Sequence, residues 1–126
     1  MRIRYKLSLG VLLLCSGCSS TDITSADQIV FPATNVSYKA HVAPLLAIAC
    51  NAAGCHDMAR PENANVDLTS WISLRGSTNV VNQPGDTNCG LVKVVYARVG
   101  HPGPLRINDN HRQGIKQWVI EGAQNN

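Results

Sequence analysis

Cys50, Asn51, Ala52, Ala53, Gly54, Cys55 and His56 bring two thiols and an imidazole together within one short segment. Two cysteine sulfurs can add to the two vinyl groups of a haem, and the histidine that follows can bind its iron. The common form of such an attachment site is Cys-x-x-Cys-His. Here four residues, not two, separate the cysteines. They are small side chains and a glycine, so the extra length can bulge without filling a pocket. Two other chemistries use the same residues. A Cys50–Cys55 disulfide would close a small loop in an oxidising compartment. Cys50, Cys55 and His56, joined by Cys89 or His101, would form a four-ligand zinc set.

The compartment bears on that choice. Arg2, Arg4 and Lys6 make a positive start, residues 7–14 are an apolar run, and Ser16 and Gly17 precede Cys18. This is the pattern of an export signal, and the run is too short to span a bilayer as a permanent helix. Ser-Gly-Cys after a leucine-rich run resembles a bacterial lipobox, whose cysteine, here Cys18, is lipidated and becomes the new N-terminus. Cys15 stands where that pattern prefers leucine, and an ordinary cleaved signal is the alternative. Export weighs against zinc, because free thiolates oxidise outside the cytoplasm. It favours haem, because bacterial covalent haem attachment takes place there.

Cleavage before Cys18 also changes the charge. The whole chain carries 11 basic and 8 acidic residues, a net +3. Loss of Arg2, Arg4 and Lys6 leaves the two signs balanced, so the apparent basicity belongs to the signal. No clustered basic face calls for a nucleic-acid partner.

Residues 18–35 are rich in Ser, Thr and Asp without a clear period, and are expected to be a flexible tether with a reach of roughly 20–25 Å. Residues 36–126 then form the folded part, small for a self-sufficient core. With one Phe and two Trp, the chain is poor in large apolar side chains, and a buried cofactor would supply the missing bulk. Cys50 and Cys55 leave only Cys89 to explain within it, and a small buried residue is the expectation there.

Apolar spacing predicts a first helix over 37–50, with Val42, Leu45, Leu46 and Ala49 on one face and Pro44 near its start. It runs directly into the Cys-His segment. Thr69 is expected to cap a short helix carrying Trp71, Ile72 and Leu74, closed by Gly76. Gln83, Pro84, Gly85 and Asp86 signal a turn. A helix over 89–97, capped by Asp86 or Asn88, would turn Leu91, Val92, Val95 and Tyr96 inward. Asn108 or Asp109 caps the last helix, on which Ile115, Trp118 and Val119 have core spacing, and Gly122 ends it. His41 and His111 are expected on the solvent side. The fold class is therefore all-α, several short helices joined by long loops.

In this order and spacing the motifs resemble a known family. A helix ends in Cys-x(n)-Cys-His, a short Asp-Leu-Thr-Ser helix follows, then a Pro-Gly-Asp turn, and the last helix ends Trp-Val-Ile-Glu-Gly-Ala. The chain from about Tyr38 to Ala123 resembles the small cytochrome c-like domains of exported bacterial proteins. The resemblance implies helices wrapped around one covalent haem c, with Cys50 and Cys55 as thioether cysteines and His56 as proximal iron ligand. Such domains commonly carry Met-Pro before the last helix, the methionine being the distal ligand. Here that place holds His101-Pro102, which implies bis-histidine ligation with His101 as distal ligand. Met58, two residues beyond His56, is tied to the proximal side and is a poor substitute.

A bis-histidine haem is expected to have a lower reduction potential than a Met/His haem. It suits electron transfer by a carrier with redox partner proteins and a membrane anchor at Cys18. Ser19, in place of an aspartate, points to the outer membrane, facing periplasm or cell surface, where copies could also self-assemble. The alternatives are a haem enzyme or a gas or peroxide sensor with an open distal site, and a structural lipoprotein whose cysteines only crosslink the fold.

Overall fold

The computed structural model describes residues 22–51, 55–56, 66–97 and 105–126. The signal, Cys18, Met58 and His101 lie outside the described residues. Among those described there are four α-helices and no strand, so the described part of the chain is all-α.

The helix expected over 37–50 forms as two joined pieces. Ser37 caps it, its Oγ accepting the Ala40 N–H at 3.1 Å. A π-helical turn, Tyr38–Val42, then leads into α1, Ala43–Ala49. Pro44 accounts for the join: it has no N–H to donate, and its ring would crowd the carbonyl one turn back in a regular helix. The wider turn before it, in which Ala43 N–H reaches Tyr38 O, relieves that crowding. Val42, Leu45 and Leu46 are buried on the face the spacing indicated.

α2 spans Trp71–Gly76, and its cap is Ser70, not Thr69. Ser70 Oγ accepts the Ser73 N–H at 3.1 Å. Thr69 is turned the other way, giving its N–H and hydroxyl to Asp67 Oδ1 at 2.8 and 2.6 Å. Asp67-x-Thr69 forms its own side-chain turn, which competes for the threonine. Leu74 is fully buried, whereas Ile72 is 75% exposed.

The Pro84 turn forms with Gly85 at φ +83°, and the Gly85 N–H donates to Val119 O at 2.8 Å. Asp86 does not cap the next helix with its carboxylate; that group takes the Asn88 N–H at 2.8 Å and shapes the turn. α3 follows at Gly90–Ala97. Leu91, Val92 and Val95 point inward as expected, and Cys89 is a small buried residue. Tyr96 is a correction: it is 47% exposed, with Lys116 Nζ 5.8 Å from its ring centre.

α4 spans Asp109–Ile120 and is capped by Asn108. Ile115, Trp118 and Val119 are buried, and Trp118 packs on Tyr38 of the first helix with ring centres 5.8 Å apart. Gly122, at φ +98°, ends the helix. Arg112 Nε donates to Val95 O at 2.9 Å, fastening α4 to the carbonyl end of α3, where a cation is favoured.

His111 is the second correction. It is not on the solvent side but fully buried. Its Nδ1 accepts the Asn108 N–H at 3.1 Å while Asn108 Oδ1 accepts the His111 N–H at 3.0 Å, a reciprocal cap. That fixes the tautomer, and Nε2–H donates to Ile29 O at 2.9 Å. His41 is half-buried, its Nδ1 accepting the Ser37 N–H at 3.1 Å and its ring 5.6 Å from that of Phe31.

Ile29, which His111 bonds, and Phe31, which His41 touches, belong to the stretch expected to be a tether, and that expectation is corrected for the described part of it. A short 3₁₀ turn, Ala26–Gln28, is closed by a Ser25/Gln28 capping box. Ala26, Ile29, Phe31 and Val36 are buried. The Asn110 amide pairs with the Phe31 backbone twice, accepting its N–H at 2.8 Å and donating to its carbonyl at 3.0 Å. The Phe31 ring fills a notch on α4 that exists because residue 114 is glycine: a Cβ there would overlap Cδ1, Cγ and Cβ of Phe31.

The end of this strap is clamped by Glu121. Its carboxylate accepts the N–H groups of Asn35 and Val36 at 2.7 and 2.8 Å and the Gln117 amide at 2.9 Å. The Gln117 hydrogen bond, with smaller contributions from the two backbone donors, holds the Glu121 carboxyl below its ordinary value of 4.5. The stability it lends is therefore complete above the unfolded-state value and is lost as pH falls through the lower, folded one. Thermal melts of the native protein should shift to lower temperature below about pH 4.5. Glu121→Gln should lower stability by about 1 kcal/mol at neutral pH, a partly hydrated charged hydrogen bond's worth. It should also flatten part of the acid dependence. Asp67, held low by Ser73 and Thr69, supplies another part. An acid profile identical in the two proteins would show that the clamp does not form.

Candidate functional site

α1 delivers the Cys-His segment. Cys50 is its C-cap, and the N–H groups of Cys50 and Asn51 both return to Leu46 O, at 2.9 and 2.8 Å. The His56 N–H then donates to Cys50 O at 3.1 Å. This bond closes the loop that holds the four-residue spacer, so the added length does not carry His56 away from Cys50. Two side chains sew the loop to residues 66–68. Asn51 Nδ2 donates to Leu68 O at 3.1 Å, and His56 Nδ1 lies 3.1 Å from Val66 O.

A carbonyl oxygen can only accept, so His56 Nδ1 carries the proton in that contact. The neutral ring then has its lone pair on Nε2. A carbonyl that sets tautomer and ring orientation in this way is the arrangement a metal-binding histidine requires. The site residue Val66 was not among the sequence candidates, and no motif marks a backbone acceptor.

The ring borders an apolar cavity of about 30 Å³, walled by Leu45, Leu46, Cys50, Leu68, Leu91, Val95, Leu105 and Ile115 among others. A second hollow of about 170 Å³ adjoins it, sharing His56, Leu68, Leu91 and Val94 and adding Val66 and Val80. Three of the four described α-helices, α1, α3 and α4, contribute to these walls. Larger hollows of about 490 and 540 Å³ are open surface grooves lined by neither thiol.

Cys50 is half-buried and Cys55 exposed. Burial, and then the neighbouring Cys55, push the Cys50 thiol up to about 11, so at neutral pH it is protonated and slow to oxidise. Among the described residues no three His, Cys, Asp or Glu side chains gather closely enough to hold a metal ion. The zinc set completed by Cys89 is thus not assembled; the one completed by His101 falls outside the described residues.

The donor chemistry suits a haem: the Cys50 thiol and an imidazole with an oriented tautomer border an apolar space, and the exposed Cys55 thiol precedes that imidazole in the chain. The two cavities are smaller than the roughly 300–1,000 Å³ common for organic ligands, so the walls must spread to take a macrocycle. One polar atom at the segment, Asn51 Oδ1, is buried without a hydrogen-bond partner among the described residues.

No family model, curated protein or solved structure matches this chain. Among the described residues no helix is long and apolar enough to cross a membrane.

Proposed function

We propose that this chain is a lipid-anchored monohaem electron carrier of the cytochrome c-like type, exported to the outer membrane. The observation that carries the reading is the His56 imidazole, oriented by Val66 O at 3.1 Å beside an apolar cavity, with Cys50 and Cys55 on the same closed loop. When bound, haem supplies a one-electron iron couple. Cys50 and Cys55 would hold it by thioether bonds, His56 Nε2 would be the proximal iron ligand, and His101 the distal one. Leu45, Leu46, Leu68, Leu91 and Ile115 would exclude water from it and keep the surroundings apolar. Two imidazole ligands leave no position for a substrate, which favours electron exchange with redox partner proteins over turnover. Cys18 would carry the lipid, on the periplasmic or outer face.

The deciding experiment is the intact mass of the mature protein purified from a bacterium that attaches haem covalently. We expect residues 18–126 plus one lipid modification plus one haem, and a low-spin spectrum that His101→Ala converts to high spin. A mass without haem, or the absence of a Soret band, would overturn the cytochrome reading. An unchanged low-spin spectrum in His101→Ala would remove His101 from the iron while leaving attachment intact.

A further inference from the structure

The strap changes what a lipid at Cys18 can do. We infer that residues 24–36 are a docked strap that turns one end of the domain, the N-terminal end of α4 with the wall formed by Leu105 and Ile107, towards the lipid surface. This rests on the reading of Cys18 as the lipidated residue. Docking is carried by Phe31 in the Gly114 notch, the paired Asn110 amide and the His111–Ile29 hydrogen bond. The 3₁₀ turn that starts the strap packs on α1.

Geometry then limits the chain left over. From Cys18 to Thr24, a fully extended backbone covers at most about 20 Å, whereas a domain of this size is roughly 30 Å across. The face opposite Thr24 therefore cannot reach the membrane that holds Cys18. Residues 24–27 border a hollow of about 540 Å³ whose other wall is Ile48 and residues 105–108. Leu105 and Ile107 are also walls of the cavity beside His56, so the end held near the lipid is also an end of the candidate haem site. Ile23, 43% exposed, gives that end an apolar side chain to seat at the interface. Its charges are Asp22 and Asp27 against Arg106, together with the Asp109–Arg112 ion pair at 2.7 Å, so attraction to anionic lipid is not what orients it. The short chain is.

The test uses the full lipidated protein in phosphatidylcholine vesicles containing a rhodamine lipid. A fluorophore is clicked onto an azide side chain placed at position 27 or at position 124. Those sites flank α4, whose 12 residues span about 18 Å. Energy transfer to the membrane, normalised to vesicles without rhodamine, should be at least twofold greater from position 27. A 20-residue Gly-Ser spacer inserted between Thr21 and Asp22 should abolish the difference. Equal transfer from both positions, or a difference that survives the spacer, would overturn the inference even if the protein floats with the vesicles. A protein that does not float, and whose mass lacks lipid, would overturn the Cys18 reading and the inference with it.

Discussion

Gly114→Ala should cost about 2–4 kcal/mol and lower the melting temperature by roughly 10–20 °C, through the loss of the docked strap. The added methyl has no room while Phe31 is in place, because it would overlap three carbons of that side chain. The ring must leave, and expelling a phenylalanine from a buried position costs about 3 kcal/mol in apolar burial. The Asn110 and His111 hydrogen bonds to the same strap weaken with it. Alanine's better helix propensity returns up to about 1 kcal/mol. A double-mutant cycle separates this account from a general helix defect. In a Phe31→Ala background the notch is empty, so Gly114→Ala should be neutral or stabilising there. Equal destabilisation in both backgrounds would show that Phe31 is not what the glycine accommodates.

That strap is also where the sequence was hardest to read. Ile29, Phe31 and Val36 are single apolar residues among Ser, Thr, Asp and Asn, and their spacing matches neither a helical nor a strand period. Each is held by one particular partner far along the chain: a notch, an amide, a carboxylate. Periodicity reports faces that pack along their whole length, so it revealed Val42, Leu45 and Leu46 and the row Ile115, Trp118 and Val119. It cannot report a strap docked at points. His111 was legible in principle. It lies four residues before Ile115 and seven before Trp118, on the inward face, but its polarity argued for solvent. Only the reciprocal cap with Asn108 and the Ile29 carbonyl make its burial affordable in hydrogen bonds. Thr69 and Ser70 show a finer limit, since both can cap and the choice was made by Asp67.

The candidate site divides in the same way. Cys50, Cys55 and His56 stood out because thiols and imidazoles are scarce and their order is chemically meaningful. Their setting did not, because it is made from the Cys50, Val66 and Leu68 backbone carbonyls, which any residue could supply. The four-residue spacer departs from the common two-residue form, and added length can displace a ligand. The His56 N–H bond to Cys50 O at 3.1 Å gives the physical reason it need not: the loop is longer, but its ends are tied.

Replacing the two cysteines one at a time should therefore give singly attached haem, and replacing both should remove covalent haem altogether. Cys50→Ser and Cys55→Ser each leave one sulfur and the same tied loop, so each should retain the haem mass, with a pyridine haemochrome band shifted from that of the native protein. The half-buried Cys50 should matter more for retention, because its sulfur sits in the cavity wall while Cys55 is exposed. His56→Ala should have the largest effect of the set, since it removes both the proposed iron ligand and the hydrogen bond to Val66 that fastens the loop. Low-spin absorption should be lost, and haem yield should fall at least tenfold. His56→Ala supplied with external imidazole separates the two roles. Added imidazole can restore the iron ligand and the low-spin spectrum, but not the loop, so spectral recovery without recovery of yield is the expected pattern. A native-like spectrum in His56→Ala without imidazole would mean that another side chain binds the iron, and the assignment of His56 would fall.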